Sequence, residues 1–83
     1  MNNLTILATE DINRPAILDI LNKYLEGYSI VKSKGIWRGV PEDSILIYIA
    51  GFSYVNEIVD AIKTVNNQES VMVITIPCGI EFK

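Results

Sequence analysis

The chain has 83 residues, of which 49% are apolar and 20% charged, and its net charge at neutral pH is −3. A chain of this length holds one hydrophobic core, so we expect a single domain over residues 1–83. The acidic balance disfavours nucleic-acid binding, while the absence of histidine and the single cysteine, Cys78, disfavour metal sites, bound cofactors and disulfides.

The sequence offers no sign of membrane insertion or export. It lacks the roughly 18 to 20 consecutive apolar residues that a membrane-spanning helix needs. Its first residues do not follow the pattern of a signal peptide. We therefore expect a soluble cytoplasmic protein without a membrane partner.

The first part of the chain predicts a strand, a helix and a second strand. Residues 4–8 form a short β-rich run. A helix follows, because Asn13 suits its N-cap and Pro15 suits its first turn. The apolar residues with helical spacing are Ile17, Leu18, Leu21 and Leu25. Residues 28–34 alternate in part and predict the second strand.

The middle of the chain predicts a loop and a third strand. Gly35 and Gly39 bound a loop that contains Trp37, the only tryptophan, and residues 41–44 (Pro-Glu-Asp-Ser) have the composition of a turn. Residues 45–50 then predict a strand that is apolar on both faces.

The last part predicts a second helix and a fourth strand. Ser53 suits the N-cap of the helix, and residues 66–67 (Asn-Asn) suit its end. Its apolar stripe consists of Val55, Ile58, Val59, Ile62 and Val65. Residues 70–76 predict a strand that Pro77 halts, and residues 79–82 predict a short edge strand.

This β-α-β-β-α-β order predicts an α+β fold, a ferredoxin-like two-layer sandwich with two helices on one face of an antiparallel sheet. Periodicity alone leaves the order of the strands open. The uncovered face is predicted to be apolar, because the third strand alternates Ile45, Ile47 and Ile49 with Leu46, Tyr48 and Ala50. Self-association would hide this face, and coverage by loops or by the C-terminal tail is the alternative.

Two short patterns carry a resemblance to known families. Trp37, Gly39 and Glu42 resemble the Trp-x-Gly-x-x-Glu segment of the trimeric CutA family, ferredoxin-like relatives of PII signalling proteins, and Glu69 and Pro77 match a later glutamate and strand-ending proline. A family of small uncharacterised bacterial and phage proteins is similar as well. The residues that match it are Gly35, Trp37, Glu42, Ser44, Gln68, Glu69, Ser70, Val71, Pro77 and Phe82.

Both resemblances imply a homo-oligomer assembled through its sheets, with a trimer favoured and with sites in clefts between subunits. The CutA resemblance also implies a link to divalent-metal tolerance, but the absence of histidine argues against a role in copper binding. The sequence lacks the long loop by which PII proteins engage partners, so regulation of that kind is not implied.

Eight residues are candidate ligand contacts. Lys32, Lys34 and Arg38 lie in a stretch without acids and predict an anion site, although lysines on a strand also protect a solvated edge. Trp37 is either a stacking platform or a packing anchor between subunits. The polar candidates are Glu42 and Ser44, which could also cap or pair with Arg38, and Gln68 and Glu69 at the start of the fourth strand.

The sequence thus predicts a homo-oligomeric small-molecule-binding protein rather than an enzyme, because no histidine dyad, P-loop or metal cluster is present. Its ligand is expected to be an anionic or nucleotide-like signal, sequestered in the host cytoplasm if the protein is phage-encoded. The alternative is a protein–protein interaction module, an inhibitor of a host protein or a structural accessory, that uses Tyr48, Phe52 and Tyr54.

Overall fold

The computed structural model describes residues 2–51 and 53–83, which form two helices on one face of a four-stranded antiparallel sheet. The elements are β1 (Asn2–Glu10), α1 (Arg14–Tyr24), β2 (Ser29–Trp37), β3 (Val40–Ala50), α2 (Val55–Asn66) and β4 (Met72–Cys78). The strands lie side by side in the order β2-β3-β1-β4. This arrangement confirms the predicted ferredoxin-like α+β fold.

The core lies between the sheet and the helices. Ile45, Ile47 and Ile49 of β3 are at most 2% exposed, as their alternation predicts. They pack with Leu7 of the neighbouring β1 and with the apolar stripes of both helices. The fully buried helical residues are Ile17, Leu21, Ile58 and Ile62.

The helix ends differ in detail from the predictions. Asn13 is the N-cap of α1 at φ 54°, but its side chain donates to the Val65 carbonyl of α2 rather than capping α1. Helix α2 is capped by Tyr54 at φ 63° rather than by Ser53, and it ends as predicted at Asn66, with Asn67 in the left-handed region. Neither helix among the described residues is long and apolar enough to cross a membrane.

The opposite side of the sheet, called here the open face, is apolar and carries no helix from the described residues. Met72 is 57% exposed, Val31 48% and Ile76 42%. The strand registers place the following side chains on this face: Leu4, Ile6, Val31, Leu46, Tyr48, Met72, Ile74 and Ile76. Phe82 in the tail is 89% exposed and covers none of it.

Strand β4 and the tail correct two predictions. Pro77 does not halt β4, because β4 is an outer strand and Pro77 pairs with Asn3 within the ladder. A proline is tolerated in an outer strand, since only one of its sides must supply ladder hydrogen bonds. Residues 79–83 form no strand.

The predicted aromatic cluster is not formed by its described members. Tyr48 lies half-buried on the open face. Tyr54 begins α2, and its ring centroid lies 5.5 Å from that of Tyr24 in α1. Tyr48 and Tyr54 are therefore on opposite sides of the sheet. Phe52 lies outside the described residues.

Candidate functional site

Strands β2 and β3 form a long hairpin rather than two strands joined by a loop. The last ladder pair is Trp37 with Val40, so the turn consists of Arg38 at φ 52° and Gly39 at φ 79°. Two successive residues with positive φ are typical of the type I′ turn, whose twist suits a two-residue hairpin. Residues 41–44 are therefore strand, which corrects the predicted turn.

The hairpin extends beyond the rest of the sheet. The ladder between β1 and β3 ends where Glu10 pairs with Ser44, and Asp11 adds one hydrogen bond to the Asp43 carbonyl at 3.0 Å. Residues 35–42, called here the hairpin arm, have only each other as strand neighbours among the described residues. Pro41 is accommodated because β3 has a ladder partner on one side only at this point.

A cleft of about 540 Å³ lies between the hairpin arm and the α2–β4 connection, with the end of β1 between them. Six of the eight predicted contact residues line it, although they come from two distant parts of the chain. These residues are Trp37, Arg38, Glu42, Ser44, Gln68 and Glu69.

Lys32 and Lys34 do not line the cleft. They share a face of β2 with Ile30, which packs against the core, and this is the face opposite to Trp37. The Lys34 ammonium lies 2.6 Å from Oδ1 of Asp43, and both side chains of this ion pair are largely exposed. The two lysines therefore do not join Arg38 in an anion site.

Trp37 and Arg38 stand at the tip of the hairpin arm. The indole is 58% exposed, so it does not anchor the core of its own chain. The carbon of the Arg38 guanidinium lies 5.6 Å from the ring centroid of Trp37. A cation–π contact of this kind contributes about 0.5–1 kcal/mol at an exposed site. The tip thus presents an aromatic surface next to a positive charge.

Glu42 and Ser44 line the cleft from β3. Glu42 forms no salt bridge with Arg38 in the described part of the chain. The Ser44 hydroxyl lies 2.7 Å from that of Ser33, its partner across the hairpin. Gly35 lies opposite Glu42 and adds no side chain, which leaves room on this side of the cleft.

Gln68 holds the opposite wall in place through hydrogen bonds within the chain. Its Oε1 accepts from the Thr9 hydroxyl at 2.9 Å and from Nδ2 of Asn66 at 2.8 Å, and its Nε2 donates to the Ser70 carbonyl at 2.7 Å. Thr9 is 4% and Asn66 7% exposed. Gln68 therefore shapes the cleft, while the exposed Glu69 beside it presents its carboxylate there.

The sequence reasoning missed Thr9 and Glu10. Thr9 follows Thr5 and Leu7 on the buried side of β1, so a polar residue in a core-facing position was the available signal. Glu10 lines the cleft at the end of β1. With it, the charged side chains that the described part of the chain brings to the cleft are three carboxylates and one guanidinium.

Asp11, near this end of the sheet, has a lowered pKa. A hydrogen-bonded pair with the Arg14 guanidinium, at 2.8 Å for both bonds, holds the pKa of Asp11 below its usual value. The same pair raises the pKa of Arg14. Both residues flank the start of α1, so this ion pair fixes the β1–α1 connection.

No protein-family model and no curated protein sequence matches this chain. Its fold is similar to that of a DUF3240 family protein from Shewanella baltica, with 16% identity, a TM-score of 0.74, and coverage of 99% of this chain and 94% of that one. It is also similar to CPII, a nitrogen regulatory PII-like protein from Thiomonas intermedia bound to ADP, AMP and bicarbonate. That match has 19% identity, a TM-score of 0.64, and coverage of 95% and 96%.

A functionally unknown protein from Pediococcus pentosaceus is similar too, with 13% identity, a TM-score of 0.60, and coverage of 99% of this chain and 96% of that one. At these identities the likeness shows a shared fold. The PII-like protein CPII therefore shares the architecture of this chain, while the short motifs remain a prediction.

Proposed function

We propose that this protein binds a nucleotide-like small molecule in the cleft beside Trp37, and that it does so as a homo-oligomer. The observation that carries the proposal is the convergence of six predicted contact residues on one cleft. An aromatic side chain, a guanidinium and several polar groups at a concave surface are the usual means of holding a small polar aromatic ligand.

The oligomer is supported by the open face. Exposed apolar surface on this scale is typical of an interaction site. Met72, Glu42 and Ser44 belong to the open face and also line the cleft. A second copy packed on the open face would therefore border the cleft and could complete it.

Nucleotides are the first ligands to test because CPII, whose fold is similar, is bound to ADP and AMP. The proposed role is sequestration, so the ligand is bound and released without chemical change. A trimer and a phage origin remain hypotheses within this proposal.

Trp37 provides the direct assay, because it is the only tryptophan and it lies in the cleft. Titration with adenosine, AMP and ADP should change its fluorescence saturably, and calorimetry should give the same dissociation constant. Chromatography of the incubated ligand should show no product. By calorimetry, since Trp37→Phe removes the fluorophore, this variant should show weaker binding, while Tyr28→Phe, away from the cleft, should not. No saturable response to any of the three would refute the proposal.

A protein partner on the open face is the second candidate, since the same apolar surface would serve it. Light scattering at micromolar concentration separates the two. A homo-oligomer that binds nucleotides supports the first proposal. A monomer that ignores nucleotides and forms a stoichiometric complex with another protein supports the second.

A further inference from the structure

We propose that the cleft selects nucleosides that carry at most one phosphate and disfavours di- and triphosphates. This inference rests on the proposed function, because it concerns the ligand of the same cleft. It follows from the charges and hydrogen-bonding groups that the chain places there.

Negative charge surrounds the cleft on three sides. Glu10 comes from the end of β1, Glu42 from the hairpin arm and Glu69 from the α2–β4 connection. None of these carboxylates forms a salt bridge within residues 2–51 and 53–83. Like charges repel more strongly where a ligand displaces water. Each additional phosphate on the ligand is therefore repelled by these carboxylates, which weakens binding.

Among residues 2–51 and 53–83, one cationic side chain lines the cleft. Arg38 lies at the mouth, held near the Trp37 ring, and its guanidinium can take one phosphate through two parallel hydrogen bonds. Lys34, the nearest lysine in sequence, is paired with Asp43 on the other face of the hairpin. The positive charge that one chain supplies to the cleft therefore matches a single anionic group.

The three carboxylates of the cleft also favour a ligand that is rich in hydrogen-bond donors. Ionised carboxylates only accept hydrogen bonds. The amino group of a base and the hydroxyls of a ribose donate them, and the base can stack on Trp37. A nucleoside whose base carries an amino group, or its monophosphate, thus matches the cleft in aromatic stacking, in hydrogen-bond donors and in charge.

The test compares adenosine, AMP, ADP and ATP by calorimetry, without magnesium and at matched ionic strength. We expect AMP to bind about tenfold more tightly than ATP, with ADP between them. The variant Glu42→Gln/Glu69→Gln should reduce this preference to about threefold or less. Glu26→Gln, which removes an exposed carboxylate outside the cleft, should keep the preference unchanged.

Each outcome bears on a different statement. Affinity that rises with the number of phosphates overturns this inference and leaves the proposed function standing. Failure of all four compounds to bind overturns the proposed function itself. Circular dichroism checks that the double variant is folded, and Glu69→Gln alone, at an exposed loop position, gives the same comparison with less change to the chain.

Discussion

Thr9 donates its hydroxyl hydrogen to Oε1 of Gln68 at 2.9 Å, and this bond joins a central strand to one wall of the cleft. Thr9→Val removes the donor and keeps the side-chain shape. We expect a loss of about 1 kcal/mol in the free energy of unfolding, because a buried hydrogen bond is lost. Urea denaturation measures it. Thr75→Val is the control, since Thr75 is exposed on β4, and equal losses in the two variants would contradict the structural role of Thr9.

The open face can be tested at two neighbouring positions of β4. Met72 is 57% exposed on this face, whereas Val73 is 44% exposed on the side of the helices. If the protein is the proposed homo-oligomer, Met72→Glu should yield a monomer, because burying an unpaired charge at an apolar contact costs free energy. Val73→Glu should leave the oligomer intact. Light scattering gives the mass, and an oligomer that persists in Met72→Glu would place the contact elsewhere.

The hairpin turn predicts a conflict between stability and binding. Arg38 adopts a positive φ, which asparagine tolerates better, and Asn-Gly is the preferred type I′ pair. Arg38→Asn should therefore stabilise the fold by about 0.5–1 kcal/mol and weaken AMP binding through loss of the guanidinium.

Gly39→Ala, at φ 79°, is the converse variant and should destabilise the fold by about 1 kcal/mol. Urea denaturation measures the stability of both variants, and calorimetry measures the AMP affinity of Arg38→Asn. A destabilised Arg38→Asn would show that the arginine makes a contact more important than its backbone strain.

The lysines of β2 should be dispensable for ligand binding. Lys34→Ala removes an exposed ion pair with Asp43 on the face opposite to Trp37. Exposed pairs contribute little, so we expect less than about 1 kcal/mol in stability and no change in the AMP dissociation constant. Arg38→Ala serves as the positive control for lost affinity. A marked loss in Lys34→Ala would mean that a second copy brings this lysine to the cleft.

Acid should weaken the β1–α1 connection. The pKa of Asp11 is lowered in the folded state by its hydrogen bonds to Arg14, so the unfolded chain takes up the proton first as the pH falls. The stabilising effect is complete above the unfolded pKa of about 4 and is lost as the pH falls through the folded value. Arg14→Gln should be less stable than the parent at neutral pH, with the difference vanishing in strong acid. Denaturation at several pH values tests this, and a constant difference would contradict it.

The sequence predicted elements well where periodicity and burial agree. The stripe that includes Ile58 and Ile62 marks α2, and the alternation of Ile45 and Ile47 marks the core side of β3. It failed at Pro41 and Pro77, where turn-like or strand-breaking residues lie in strands that have few neighbours. At these positions the pairing with a neighbouring strand determines the structure, and the local residue preferences do not show that pairing.

The candidate site was predicted by residue type, and residue type alone could not separate the arginine from the lysines. Trp37 occupies an odd position of β2 and the two lysines even ones, so the alternation of a strand puts them on opposite faces. This separation became visible only once the strand was known to continue through Gly35 to Trp37. The role of Gln68 depends on Thr9, which is remote in sequence, and no local pattern contained it.

The composition of the two edge strands has a consequence for aggregation. Strands β4 and β2 are the two edge strands of the sheet. Pro77 lies in β4, and Lys32 and Lys34 lie in β2. Proline and lysine at such borders hinder the addition of a further strand from another molecule. We therefore expect the addition of further strands, and with it growth into fibrils, to be hindered at both edges of the sheet.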